Sequence, residues 1–180
     1  MVESWLDASL VRRRHVLGAV GATTFLAAAA PMARAALPMP RGEILLTVRG
    51  QISVTNAPGM ARLDRTLLLE AGDAELRTVT PFTDGASTFS GVLASRLLDW
   101  LGASGSEVRC RALNDYSVVI PIAELRAYPV LLALDRDGRP LSVRERGPLW
   151  VIYPWSDYPE LDDRVHRQRS IWQLSELDVG

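Results

Sequence analysis

The sequence predicts a single α+β domain with a mixed β-sheet, spanning residues 36–180 behind an N-terminal segment of different character. Three observations carry this expectation. Short apolar and β-branched runs are separated by turn chemistry, helical patterns number only one or two, and no strand–helix–strand rhythm repeats. The stretch after residue 35 is long enough to bury one core.

Residues 1–35 read as a cleavable export signal. Arg12, Arg13 and Arg14 form a basic start, residues 16–30 carry no charge, and Pro31 precedes the small-x-small pattern Ala33-Arg34-Ala35. About 15 apolar residues are too few to cross a hydrocarbon core of about 30 Å, so cleavage near Ala35 is expected over a permanent anchor. Arg13-Arg14-His15-Val16-Leu17 also fits a twin-arginine signal, which exports folded proteins, with general secretion as the alternative. The expected location is the periplasm.

Residues 43–54 mix β-branched and polar side chains around Gly50 and read as one strand or two short ones about a bend. Asn56-Ala57-Pro58-Gly59 is a turn. Residues 67–76 either end a strand or begin a short helix, and residues 77–80 are extended until Pro81. From Val92 to Leu101 the pattern predicts a helix with Leu93, Leu97, Leu98 and Leu101 on one face and Gly102 at its C-terminal cap. Residues 107–112 alternate strictly, with Val108, Cys110 and Ala112 facing one way, and predict a strand. Asn114-Asp115 turns this strand into its return, residues 116–122. Further strands are expected at residues 130–134, closed by Asp135-Arg136-Asp137-Gly138, and at residues 149–153 before Pro154. In residues 170–179, Ile171, Leu174 and Leu177 face inward.

Composition closes several classes of function. Apolar residues are 48% and charged residues 23% of the chain, as in an ordinary globular protein. Cleavage would remove Glu3, Asp7, Arg12, Arg13, Arg14 and Arg34, taking the formal charge from −1 to −3. With no basic run, nucleic acid is not an expected partner. Cys110 is the only cysteine, which rules out an intramolecular disulfide and a multi-thiolate metal site. Of two histidines, His15 lies in the signal, so a Ser-His-Asp triad would need His166, and no G-x-S-x-G motif accompanies it. Cys110 itself reads as a core residue, since it shares the apolar face of its strand.

Three segments remain as candidates for binding. Tyr153-Pro154-Trp155-Ser156-Asp157-Tyr158-Pro159 places three aromatics at a strand end, where they either stack a flat heterocycle or pack on one another. Residues 164–172, RVHRQRSIW, offer Arg169 and Ser170 to an anion or a polar ring edge, or else form a solvated charge run. Thr80-Pro81-Phe82-Thr83-Asp84-Gly85 is a polar loop at a strand end. None of these makes a catalytic constellation.

Taken in series, several segments resemble the molybdopterin-binding domain of the sulfite oxidase family. They are Phe89-Ser90-Gly91-Val92-Leu93 with Leu97-Leu98, then Val108 through Asn114-Asp115-Tyr116-Ser117 to Ile120-Pro121-Ile122, and Leu131-Leu132-Ala133 through Asp137-Gly138-Arg139-Pro140-Leu141. Gly147-Pro148-Leu149-Trp150-Val151 and Arg169-Ser170-Ile171-Trp172 complete the series. The likeness runs from Thr78 to Val179 and is best to small, stand-alone exported members. It implies a bound pterin, molybdopterin among the candidates. The ring would be walled by Phe82, Trp155 and Trp172 and met at its polar edge by Arg169 and Ser170, with Asn114 and Tyr116 at the mouth and Tyr153 also among the cofactor-binding residues. The departure lies at Val79-Thr80-Pro81, where the family's enzymes carry the cysteine that ligates molybdenum. Thr80 occupies that region, which argues against molybdenum and against sulfite oxidase-type catalysis. The resemblance therefore implies a pterin-binding regulator of a membrane signalling partner, acting through its periplasmic domain in cyclic-di-GMP control. The alternative it leaves is a periplasmic oxidoreductase dependent on molybdenum cofactor.

Overall fold

The structure, a computed structural model, describes residues 37–180. The expected export signal, residues 1–35, lies outside the described residues. Ten strands and four short helices follow one another. They are β1 (Leu46–Gly50), β2 (Met60–Leu63), α1 (Arg65–Glu70), β3 (Asp73–Thr80), β4 (Thr83–Leu93), α2 (Ala94–Trp100) and β5 (Glu107–Ala112). Then come β6 (Ser117–Pro121), α3 (Ile122–Ala127), β7 (Leu131–Arg136), β8 (Arg139–Pro140), β9 (Trp150–Ile152), α4 (Arg164–Arg169) and β10 (Leu174–Val179).

The strands form two sheets of five. The first has the order β2-β1-β10-β5-β6, and the second runs β3-β4-β7-β8 with β9 also paired to β7. The pairing of β1 with β10 is parallel and the other ladders are antiparallel, so the expected mixed sheet is present. One buried apolar cluster takes side chains from both sheets, with Trp150, Tyr153 and Phe89 its largest fully buried members. Near the cleft described below the sheets also meet through the backbone. Trp150 bridges Trp172, Val151 N–H donates to Ile171 O at 2.9 Å, and Leu174 N–H donates to Leu149 O at 2.9 Å.

Local chemistry explains most element ends. Asp64 caps α1 by accepting from Leu67 N–H at 3.0 Å, which resolves the ambiguous residues 67–76 into a helix followed by β3. The expected β5–β6 hairpin turns at Asn114-Asp115. Asp115 takes a φ of 67°, and the Asn114 side chain accepts from Tyr116 N–H at 3.2 Å. Asp137 and Gly138, with φ of 50° and 74°, make the β7–β8 turn of the kind that suits a hairpin's twist. The helix expected from Val92 starts later, because Val92 and Leu93 still pair with β7. Three further differences bear on the site. Residues 83–93 form the long strand β4, residues 122–127 form a helix beyond Pro121, and residues 164–169, read as a charged segment without helical structure, form α4.

Candidate functional site

A cleft of about 650 Å³ opens where four separate segments converge. Phe82 enters from the β3–β4 turn. Ala112, Asn114 and Tyr116 come from the β5–β6 turn, Asp162, Asp163, Arg164, Arg167 and Gln168 from the start and body of α4, and Ser170, Ile171 and Trp172 from the link to β10. Five of the residues expected from the sequence therefore meet here: Phe82, Asn114, Tyr116, Ser170 and Trp172.

The aromatic wall is built from the second sheet outward. Buried Trp150 on β9 contacts Phe89 edge-on at 5.7 Å and Phe82 at 6.2 Å between ring centroids. Phe82 in turn meets Trp172 edge-on at 5.4 Å. The Arg146 guanidinium lies over both indoles, 5.1 Å from the Trp150 centroid and 5.4 Å from that of Trp172. Trp172 keeps 37% of its surface exposed, so an apolar ring is held in place and left open to a ligand.

The polar rim comes from α4 and the facing turn. Asp163 caps the helix by accepting from His166 N–H at 2.9 Å, and that bond is the main cause holding its carboxyl below the ordinary value. Val165 N–H is a second backbone donor to this carboxylate, and the His166 ring nitrogen Nδ1 lies 3.0 Å from Oδ1. Arg167 closes on Asp162 at 2.8 Å, whereas Arg164 makes no ion pair among the described residues. The amides of Asn114 and Gln168 retain free donors, and Tyr116 O–H reaches Gln168 O at 3.5 Å across the cleft.

Four residues expected at the site stand off this wall. The Thr80 hydroxyl pairs with Thr83 Oγ1 at 2.8 Å and accepts from Phe82 N–H at 3.1 Å, so it shapes the turn that presents Phe82. Tyr153 is fully buried, and its hydroxyl donates to Glu124 at 2.6 Å. Burial foremost, with that bond second, pushes the phenol's pKa up. Trp155 is buried and donates to Leu161 O at 3.1 Å. Arg169, expected at a ring's polar edge, turns inward instead. It pairs with Glu124 and donates to Val119 O at 3.2 Å, because helical geometry turns it onto a different face from Arg164 and Gln168. Ser170 lines the cleft, but its hydroxyl is spent on Val151 O at 2.6 Å and the Trp150 ring N–H at 3.2 Å.

Asp162, Asp163, Arg164, Arg167 and Gln168 were not singled out from the sequence, although Arg164–Trp172 was flagged as a segment. An aspartate immediately before a polar run is the cap signal that could have placed them on a helix.

Cys110 is buried and desolvated, with its thiol pushed up to about 12, and it lies outside the cleft wall. Among the described residues no group of three His, Cys, Asp or Glu side chains could hold a metal. The residues at hand do not fit a protein-ligated metal. A flat heterocycle fits, since the cleft combines an open indole with free amide donors and a charged carboxylate.

No protein-family profile matches the chain, and no curated protein matches it in sequence. Its fold is similar to that of the sulfane dehydrogenase SoxCD from Paracoccus pantotrophus. The TM-score is 0.56 at 14% identity, over 80% of this chain and 40% of that one. The chain thus spans well under half the length of that protein. The likeness shows that the two proteins share a fold.

Proposed function

We propose that this protein is an exported pterin-binding module of the periplasm, and that it senses or regulates through a membrane signalling partner. The observation that carries the reading is the cleft beside Trp172, which joins an open aromatic face to free amide donors and to charged groups of both signs. A pterin is a flat bicycle with an aminopyrimidine edge. Its face would lie against Trp172, supported by Phe82. Its amino and ring N–H groups would donate to the Asp163 carboxylate, while its carbonyl and ring nitrogens would accept from the amides of Gln168 and Asn114. Asp163 suits this task because its helix-capping bond keeps it charged. Arg164 leaves room for an anionic substituent at the rim. No step of redox chemistry follows from these side chains, and none is required for sensing.

The test is to purify the protein from its own host and measure molybdenum by mass spectrometry alongside fluorescent pterin after acid-iodine oxidation. Pterin without molybdenum supports the binding module. Pterin and molybdenum together, near one per chain, would replace it with the oxidoreductase reading. If the protein retains no pterin and binds none when supplied, the proposal fails. Trp172→Ala should weaken pterin binding about ten-fold, equivalent to about 1.4 kcal/mol, with the fold unchanged by circular dichroism.

A further inference from the structure

The sheet edges of this protein are managed unequally. On β2 the outward groups of Arg62 are capped by one side chain: Asn56 Oδ1 accepts from Arg62 N–H at 2.8 Å, and Asn56 Nδ2 donates to Arg62 O at 2.9 Å. On β6, Val119 O accepts from Arg169 at 3.2 Å. β9 is closed by the bond from Val151 N–H to Ile171 O. The remaining long edge is β3, eight residues that pair with β4 on one side and with no strand on the other. Unpaired strand edges of this length are templates for another strand.

Its register shows which groups point outward. Thr88, the β4 partner of Arg77, bonds through both its N–H and its C=O to Asp137 on the far side, so Arg77 sits in a pair that is not hydrogen-bonded to β4. By the two-residue period, residues 73, 75, 77 and 79 all direct their backbone groups away from the sheet. Val79 N–H confirms the phase, since it donates outward to Ser156 Oγ at 3.0 Å. Near the start, Asp73 O accepts from Arg96 at 3.4 Å. Glu75 and Arg77 between them keep free N–H and C=O groups among the described residues, and their side chains are exposed.

We infer that β3 pairs with β3 of a second copy of this chain, antiparallel about a dyad through Leu76. In that register Glu75 stands opposite Arg77 of the other copy, and Arg77 opposite its Glu75. Each pair exchanges two backbone bonds, which uses the four free groups on each strand. The side chains in each pair then project on the same face with opposite charge, the arrangement that favours cross-strand pairing. The two Leu76 side chains meet at the closer, non-hydrogen-bonded position. The choice of a second copy over another chain rests on this self-complementarity, because the sequence Glu-Leu-Arg is its own charge complement when reversed. The contact is smaller than a standard interface of roughly 1,200–2,000 Å², so the dimer is a weak one that forms with rising concentration.

Sedimentation velocity of the purified protein from micromolar to millimolar concentration tests the inference. The unaltered protein should shift from monomer toward dimer. Arg77→Glu and Glu75→Arg, each of which sets like charges opposite one another, should remain monomeric. Combining E75R with R77E should restore the shift, and circular dichroism should show all three variants folded. Arg77 also helps to hold Asp137 charged, so the restored double variant separates pairing from that local contact. A protein that stays monomeric throughout overturns the inference, as does a dimer that survives both single substitutions.

Discussion

Glu124 gathers three groups on α3. Tyr153 donates to one oxygen, Arg169 pairs with the other, and the His166 ring lies 3.9 Å from the latter. Both ion-pair partners are largely shielded, with 12% of the Glu124 side chain and 23% of the Arg169 side chain exposed. Removing the cation would leave a half-buried carboxylate without its counter-charge. Arg169→Ala should therefore cost about 2–3 kcal/mol in urea unfolding, somewhat below the cost for fully buried pairs because water still reaches the site. Arg169 and His166, which packs edge-on against Tyr153 at 5.4 Å, are the shielded side chains of α4, so this cluster is its main tie to the core. The same variant should thus weaken ligand retention indirectly, by loosening the helix that carries Asp163 and Gln168. Cys110 offers a contrasting case. Burial holds its thiol up to about 12, so it should resist Ellman's reagent at pH 8 in the native protein and react fully on unfolding. Rapid native labelling would refute its place in the core.

Short elements in this fold depend on side chains that close their ends. Asp64 is the clearest: one carboxylate caps α1 through Leu67 N–H and also accepts from Arg41 and Gly42 N–H, each at 2.8 Å. Those bonds, the one from Leu67 foremost, lower its pKa from the ordinary value of 3.8. A lowered native pKa means stability that is complete above that ordinary value and is lost as pH falls through the lower native one. Asp64→Asn should reduce stability at neutral pH by about 1–3 kcal/mol and flatten the acid end of the stability curve below about pH 4. Equal acid slopes in the two proteins would show that the carboxylate carries none of the effect. Element chemistry also decides what sequence reading could reach. The β5–β6 hairpin and the glycine after α2 were readable because alternation, Asn-Asp and Gly102 act locally. β4 was not, since Thr83–Leu93 is rich in Gly, Ala, Ser and Thr, and becomes a strand by lying between β3 and β7. α4 was missed because a helix with no buried side chain shows no apolar stripe. The site inherited that error: Trp172 and Phe82 could be picked as aromatics, but the polar rim depends on a helical phase that turns Arg169 inward and Asp163 outward.

At the scale of the whole molecule, the cleft belongs to neither sheet alone. Phe82 comes from the second sheet's β3–β4 turn and Asn114 and Tyr116 from the first sheet's hairpin, while Trp172 stands at the backbone bridge between them. Unfolding either sheet destroys the wall, so a ligand in the cleft binds only the native state. Linkage then sets the size of the effect: at about 100 times its Kd, such a ligand adds about 2.7 kcal/mol to the free energy of unfolding. A tetrahydropterin at that excess should raise the thermal midpoint by several degrees in a single cooperative transition. The same concentration should do about half as much for Trp172→Ala, for which it is only about 10 times Kd and adds about 1.4 kcal/mol. Differential scanning calorimetry with and without ligand measures both. A shift of equal size in the two proteins would mean that the pterin binds elsewhere. A split transition in which one part fails to respond would mean that the sheets unfold separately and that the cleft reports on only one of them.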